Sequence, residues 1–260
     1  MAISAIEQRL GVIGKKAESC EQHGGYVSVI SSRLEKPSGC PECARERSEK
    51  ARNQELEAER AAALVAKMEE KVGGALIPKR FQTRTFETYF AESEGQKKNL
   101  EKCRDYAANF EQNHKAGNSL LLLGKPGTGK THLAAAIAIK VMEGRHTALY
   151  RTVSGIIQLV KGSYGDSDYS ESEAFASLVK PSLLIIDEVG ATKPTEFEKA
   201  VLFEVINRRY EEMLPTIVIS NLMPKELSDA MGERCIDRLR EGGTAAVFDW
   251  ASMRAVKKDA

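Results

Sequence analysis

Residues 119–132 read SLLLLGKPGTGKTH, and the fold of the whole chain is decided by this stretch. Residues 119–123 are mostly apolar and strand-like. Gly124, Lys125, Pro126, Gly127, Thr128, Gly129, Lys130 and Thr131 come next, and an alanine-rich helical run over residues 133–141 follows at once. Strand, glycine loop and helix with G-x-x-x-x-G-K-[ST] at the turn is the pattern of a phosphate-binding loop. Gly127 and Gly129 let backbone N–H groups turn inward around a polyphosphate, where side chains would block the approach. The helix begins with free N–H groups and the positive end of its dipole toward the phosphates. Lys130 can place a point charge near the β- and γ-phosphates, and the Thr131 hydroxyl can ligate Mg²⁺. Chance supplies the fixed positions in roughly one chain in a hundred of this length, so an ATP-binding core is the first expectation.

A chain of 260 residues has room for one large or two modest domains. Its 42% hydrophobic and 29% charged residues are those of a soluble globular protein. No apolar run approaches the roughly 18 residues of a membrane helix, and residues 1–16 lack the pattern of a secretion signal. A cytoplasmic protein with no membrane partner is expected. Ile3, Ile6, Leu10 and Ile13 fall at three- and four-residue spacing, which predicts a short amphipathic helix. The net charge of +1 is not split between regions: residues 1–74 carry 12 basic and 12 acidic side chains. That excludes a strong sequence-independent field toward nucleic acid, so any DNA contact must come from a local stripe.

Cys20-x₂-His23 and Cys40-x₂-Cys43 bracket a loop, with Gly24, Gly25, Gly39 and Pro41 beside the pairs. Two ligand pairs at x₂ spacing are the pattern of a closed tetrahedral zinc site. Ordering the 24 residues from Cys20 to Cys43 costs about 1–2 kcal/mol each in backbone entropy. Tyr26, Val27, Val29, Ile30 and Leu34 cannot offset that, whereas a structural zinc supplies about 10–16 kcal/mol. With four protein ligands no position is left for water, so Zn²⁺ here would be structural.

Residues 44–72 are rich in Ala, Glu, Arg and Lys and contain no Gly or Pro, which predicts one long helix ending at Gly73 and Gly74. Its sparse apolar positions (Leu56, Leu64, Val65, Met68) suit a solvated linker. An aromatic-bearing extended segment at residues 77–90 and an amphipathic helix at 95–110 lead into the glycine loop. Strands at 147–152, 183–187, 216–220 and 245–248 then alternate with helices at 153–161 and 196–213, the mark of a parallel sheet covered on both faces. The strand LLIIDE delivers Asp187 and Glu188 at its C-terminal end, the edge where open α/β sheets bind ligands. Asp187 is placed to hold Mg²⁺ through water, and Glu188 to orient and polarise an attacking water. Asn221, at the end of IVISN, is placed to sense the γ-phosphate or that water.

These residues resemble the AAA+ ATPases and, within them, the DnaC-type replicative-helicase loaders. The resemblance covers about residues 77–254. It is carried by residues 81–89, GKPGTGKTHLAAAI, LLIIDEVG, INRRYEEMLPTIVISN, GERCIDRLREGG and FDWASMR. The first four pieces are shared with transposition helper ATPases of the IstB kind, and the last two favour the loaders. The front end is similar to that of loaders from some Gram-positive bacteria and phages. The resemblance implies an α/β AAA+ P-loop core with a five-stranded parallel sheet and no C-terminal lid domain, since the chain ends soon after Arg254. It implies that Arg238 is an arginine finger reaching a neighbouring subunit's nucleotide and that Arg254 is a second sensor in cis. Arg234, Arg208 and Arg209 are further candidates for that intersubunit surface. Single-stranded DNA contact would fall to Lys161, Tyr164, Thr195 and Phe197, whose aromatic faces can stack bases.

The domain layout expected is a zinc-binding, helicase-interacting module at 1–50, a linker helix at 51–74 and an AAA+ ATPase domain at 75–260. The function implied is an ATP-dependent loader that binds a hexameric, DnaB-type replicative helicase, self-assembles through its ATPase domains and places the helicase on single-stranded DNA. An IstB-like transposition helper is the alternative. A zinc-dependent adaptor without hydrolysis is disfavoured by the intact Lys130, Asp187 and Glu188.

Overall fold

A computed structural model describes residues 11–33, 36–165 and 168–254, without the side chains of residue 58 and residues 60–70. Ile3, Ile6, Leu10 and Leu34 lie outside the described residues, as do the side chains of Leu64, Val65 and Met68. Ile13 lies within them and is not helical. It belongs to strand β1 (Val12–Cys20), which pairs antiparallel with β2 (Gly24–Ser31) through a tight turn. Gly11 and Gly14 flank Ile13, and the register shifts between Val12 and Gly14, leaving Ile13 on a bulge and 64% exposed. Two glycines so close cost a helix about 1 kcal/mol each, and the β-branched pair between them suits a strand.

The chain divides into two compact units, Met1–Ala66 and Lys67–Ala260. Helix α1 (Pro41–Gly74) begins in the first and ends in the second. In the second unit, α2 (Glu94–Ala108) and α3 (Phe110–Lys115) precede β3 (Leu120–Gly124) and α4 (Lys130–Glu143). Then come β4 (Ala148–Thr152), α5 (Val153–Gly162), α6 (Glu171–Val179), β5 (Leu183–Val189) and α7 (Glu196–Glu211). β6 (Thr216–Ser220), α8 (Pro224–Met231), α9 (Glu233–Arg240) and β7 (Thr244–Phe248) complete it.

The five strands β3 to β7 form one all-parallel sheet in the order β4-β5-β6-β3-β7. The period of two along each strand divides the core. Leu120, Leu122, Leu183, Ile185, Ile217 and Ile219 face α2 and α4, while Leu121, Leu123, Leu184, Ile186 and Val218 face α5 to α9. Both sheet edges are covered. Asn99 and Lys102 of α2 donate to the carbonyls of Val247 (2.7 Å) and Ala245 (2.8 Å) on β7, and the Ala75 carbonyl accepts the Tyr150 N–H of β4 at 2.8 Å. Among the described residues no helix is long and apolar enough to cross a membrane.

The short helices α3, α6 and α8 escaped the sequence reading, because six to nine residues give little periodicity. Their signals are local: a Ser170–Glu173 capping box opens α6, and Pro224 opens α8.

Arg209 overturns an expectation. Named above as a candidate for an intersubunit surface, it is 0% exposed. Its guanidinium donates to the carbonyls of Leu178, Val179, Pro181, Ser182 and Pro215, and Nε donates to Thr216 Oγ1 at 3.0 Å. The C-terminal end of α6 and the loops entering β5 and β6 converge there with unpaired carbonyls, and one planar, five-donor group satisfies them together. Arg208 stays at the surface, bonded to Glu204 and stacked on Phe175. Urea unfolding should show Arg209→Met destabilised by about 3–5 kcal/mol, because it strands buried carbonyls; Arg208→Ala should cost about 0.5 kcal/mol.

Candidate nucleotide site and metal centre

The glycine loop leaves β3 at the C-terminal edge of the sheet and closes onto the first turn of α4. Gly124 and Gly129 hold positive φ of 121° and 97°. A Cβ at Gly124 would stand 2.2 Å from the Phe248 carbonyl oxygen, and one at Gly129 would stand 2.5 Å from the Tyr89 ring. Glycine is thus required on the outer side of the loop as well as toward a ligand. Lys130 is buried, and its ammonium donates to the carbonyls of Gly124 and Lys125, each at 2.6 Å. Burial lowers its pKa to about 8, so it still carries its charge at pH 7. Thr128 is fully buried, with its hydroxyl on the Lys125 carbonyl at 2.7 Å, while Lys125 and Pro126 are exposed.

β6 lies between β3 and β5, so the ends of these three strands sit side by side. Asp187, 6% exposed, is brought against Thr131: its Oδ2 accepts the Thr131 hydroxyl at 2.9 Å and the Tyr150 hydroxyl at 2.5 Å. Its Oδ1 accepts the Glu188 N–H at 2.6 Å. Tyr150 was missed in the sequence; the signal is a lone hydroxyl-bearing aromatic in the apolar strand ALYRT. Burial, with Asp187 beside it, pushes the Tyr150 pKa far above its usual value, so the phenol stays a donor.

Glu188 is exposed and adopts φ 61°, and the pairing of β5 with β6 shifts register between Ile186 and Val189. The bulge turns Glu188 out of the pleat at the strand end. A left-handed non-glycine residue is strained by about 1–3 kcal/mol, and such strain collects at functional sites. Asn221 is exposed immediately past β6.

Residues after β7 run against the loop: the Met253 N–H donates to the Gly127 carbonyl at 2.8 Å, and the exposed Arg254 follows. Arg238 is half-buried on the helical layer. Its guanidinium lies 5.4 Å from the Phe203 ring centroid and 5.0 Å from that of Tyr210, and it donates to Asn207 Oδ1. Arg234 is exposed at the start of α9. Lys161, Tyr164 and Phe197 meet: the Lys161 ammonium lies 5.4 Å from the centroid of the Phe197 ring, and the Tyr164 and Phe197 rings are 6.5 Å apart, edge to face. Thr195 is beside them as the N-cap of α7.

In the first unit, the ligand atoms of Cys20, His23, Cys40 and Cys43 all lie within 4.8 Å of one another. His23 Nδ1 is 3.8, 3.7 and 3.3 Å from the Sγ atoms of Cys20, Cys40 and Cys43, and Cys20 and Cys43 are 3.5 Å apart. A tetrahedral zinc with ordinary bond lengths requires S···S near 3.8 Å and S···N near 3.6 Å, so the donor set fits this metal. The turn between β1 and β2 carries Cys20 and His23, and the start of α1 carries Cys43. Backbone N–H groups of Gln22 and His23 hold the Cys20 thiol near 6, toward the thiolate a metal needs. His23 Nε2 meets Glu46 at 3.1 Å, which fixes the ring so that Nδ1 faces the sulfurs.

Glu188→Gly should raise the urea-unfolding free energy by about 1 kcal/mol by relieving the left-handed strain. Native mass spectrometry should find one zinc per chain, lost in Cys40→Ser, with the circular dichroism of the first unit lost together with the metal.

Residues 45–246 match the family model described as IstB-like ATP binding protein. Over 175 residues the chain is 35% identical to the replicative helicase loader DnaC of Escherichia coli (strain K12), covering 67% of this chain and 70% of the relative. A crystal structure of the DnaC helicase loader shares the fold with a TM-score of 0.58 at 22% identity, over 66% of this chain and 99% of that one. A crystal structure of DnaI does so at 0.57 and 22%, over 66% and 94%. Cys20, His23, Cys40 and Cys43 all precede the region that the family model matches. With its parallel five-stranded sheet, phosphate loop and acidic strand end, this chain belongs to the IstB-like ATP-binding proteins of the AAA+ class and is a homologue of the replicative helicase loader DnaC.

Proposed function

We propose that the protein is an ATP-dependent helicase loader that binds a hexameric replicative helicase and places it on single-stranded DNA. The observation that carries this reading is the contact of Thr131 with Asp187 beside an outward-turned Glu188, in a chain 35% identical to a replicative helicase loader. In the ATPase domain the loop N–H groups and Lys130 bind the phosphates, with Lys130 exchanging its two carbonyl partners for phosphate oxygens. Thr131 and Asp187 would hold Mg²⁺, which would supply charge neutralisation at the phosphate oxygens. Tyr150 keeps Asp187 oriented, Glu188 positions and polarises the attacking water, and Asn221 senses the γ-phosphate at the adjacent strand end.

Arg238 acts on the nucleotide of a neighbouring subunit, and Arg254 acts on that of its own. Phe203, Tyr210 and Asn207 hold Arg238 on the face of α7, so its charge is ordered before a neighbour docks. ATP then works as a switch, bridging two subunits until hydrolysis releases them. Lys161, Tyr164, Thr195 and Phe197 form a basic and aromatic patch for single-stranded DNA. Each stacked base contributes about 1–3 kcal/mol, and several subunits in line add their patches. The Cys/His centre staples a module, residues 1–50, that grips the helicase; Cys20, His23, Cys40 and Cys43 would hold zinc, which would supply folding energy there.

A transposition helper of the IstB kind is the second reading, since residues 45–246 match the IstB-like ATP binding protein family. Co-purification separates the two, since a hexameric helicase and a transposase differ in mass and sequence. For the loader, Lys130→Ala and Arg238→Ala should each lower ATP-dependent helicase loading by at least about 100-fold. Arg238→Ala should do so while leaving ATP binding by the isolated chain within about twofold. Unchanged loading in either variant would sink the mechanism.

A further inference from the structure

The phosphate loop is held from outside as well as built from within. Two consecutive carbonyls of the loop are taken up by groups beyond it. The Gly127 carbonyl accepts the Met253 N–H at 2.8 Å. The Thr128 carbonyl accepts the Tyr89 hydroxyl at 3.1 Å and the Trp250 indole N–H at 3.2 Å. In a planar trans peptide the N–H points opposite to the C=O. Drawing these two carbonyls outward therefore turns the N–H groups of Thr128 and Gly129 to the inner side. Successive N–H groups facing one way make the concavity that binds anions.

The Lys125 N–H has another use, donating to the Phe248 carbonyl at 2.9 Å. Residues 248–253 thus lie along the loop as a strap. Phe248 anchors the strap in the core with no exposure, and Trp250 packs its ring 5.0 Å from that of Phe248 and against Gly95. Tyr89 is also buried and comes from the other side of the loop in sequence.

We propose that Tyr89 and Trp250 are positioning residues: together they clamp the Thr128 carbonyl, shape the phosphate cradle, and couple seating of the C-terminal strap to occupancy by a nucleoside di- or triphosphate. This rests on the nucleotide-binding reading above. Coupling of this kind is reciprocal, so a bound phosphate chain tightens the strap as the strap tightens the cradle. Trp250 is the single tryptophan of the chain, and its own N–H makes the bond. Its emission therefore reports the clamp directly.

The test uses the full chain, a fluorescent ATP analogue, a fluorescent ADP analogue and thermal melts without nucleotide. Tyr89→Phe and Trp250→Phe should each weaken both analogues about five-fold, the yield of one ordinary hydrogen bond. The double variant should weaken them more than about 20-fold, because the carbonyl then has no donor left. KM should rise while kcat changes less than about twofold, and melting without nucleotide should move by only a few degrees. In the unmodified protein ATP should shift the Trp250 emission, and Tyr89→Phe should need more ATP for the same shift. Wild-type affinity in the double variant, or emission unmoved by saturating ATP, overturns the clamp while the nucleotide site stands. An unmodified protein that binds neither analogue overturns the nucleotide reading and the clamp with it. If the double variant does not fold, Tyr89→Phe alone decides on the same affinities, since it removes one oxygen and keeps the ring.

Discussion

A carboxylate that is 6% exposed at the end of a buried strand has to be satisfied, and much of the site follows from how Asp187 is satisfied. Its three partners come from three places: Thr131 from the first turn of α4, Tyr150 from β4, and the Glu188 N–H from β5 itself. Each bond fixes one element against the sheet edge. The last also belongs to the bulge that turns Glu188 outward, so the arrangement that settles the buried charge also aims the neighbouring carboxylate at solvent. Position and chemistry are set by one local constraint.

The same economy governs the phosphate loop. Inward-facing N–H groups need outward-facing carbonyls, and each carbonyl drawn outward needs a donor. The strap after β7 and the segment before α2 supply those donors, so residues remote in sequence control the shape of an eight-residue loop. Arg209 applies the rule elsewhere in the core. There the converging carbonyls at the end of α6 and in the loops entering β5 and β6 are met by one guanidinium. In the first unit a hairpin and the start of a long helix bring three sulfurs and an imidazole within 4.8 Å of one another. Ligation of a metal by such a set would supply about 10–16 kcal/mol to a unit that buries little apolar surface.

Much of this was legible beforehand because the motifs are contiguous. The glycine loop and the strand ending in Asp187 and Glu188 each declare themselves within a dozen or so residues, and the Gly-free helix and the two x₂ Cys/His pairs within about thirty. The physical reason is that phosphate cradles, strand ends and tight turns are made by local backbone geometry. What escaped was either too short to show a period, as with α3, α6 and α8, or depended on partners far away. The spacing around Ile13 satisfied a helical period, yet Gly11 and Gly14 and the pairing with β2 made it a bulged strand.

The sequence by itself determined the parallel α/β core, the phosphate-loop motif and the acidic strand end, because each rests on neighbours in the chain. Only the tertiary structure decided that Arg209 is a core residue while Arg208 is not. It alone brought Tyr150 to Asp187, Tyr89 and Trp250 to the Thr128 carbonyl, and Arg238 to the face of α7. These assignments depend on which unpaired carbonyls and buried charges the packed elements leave behind, and that remainder exists only once the sheet and its helices have come together.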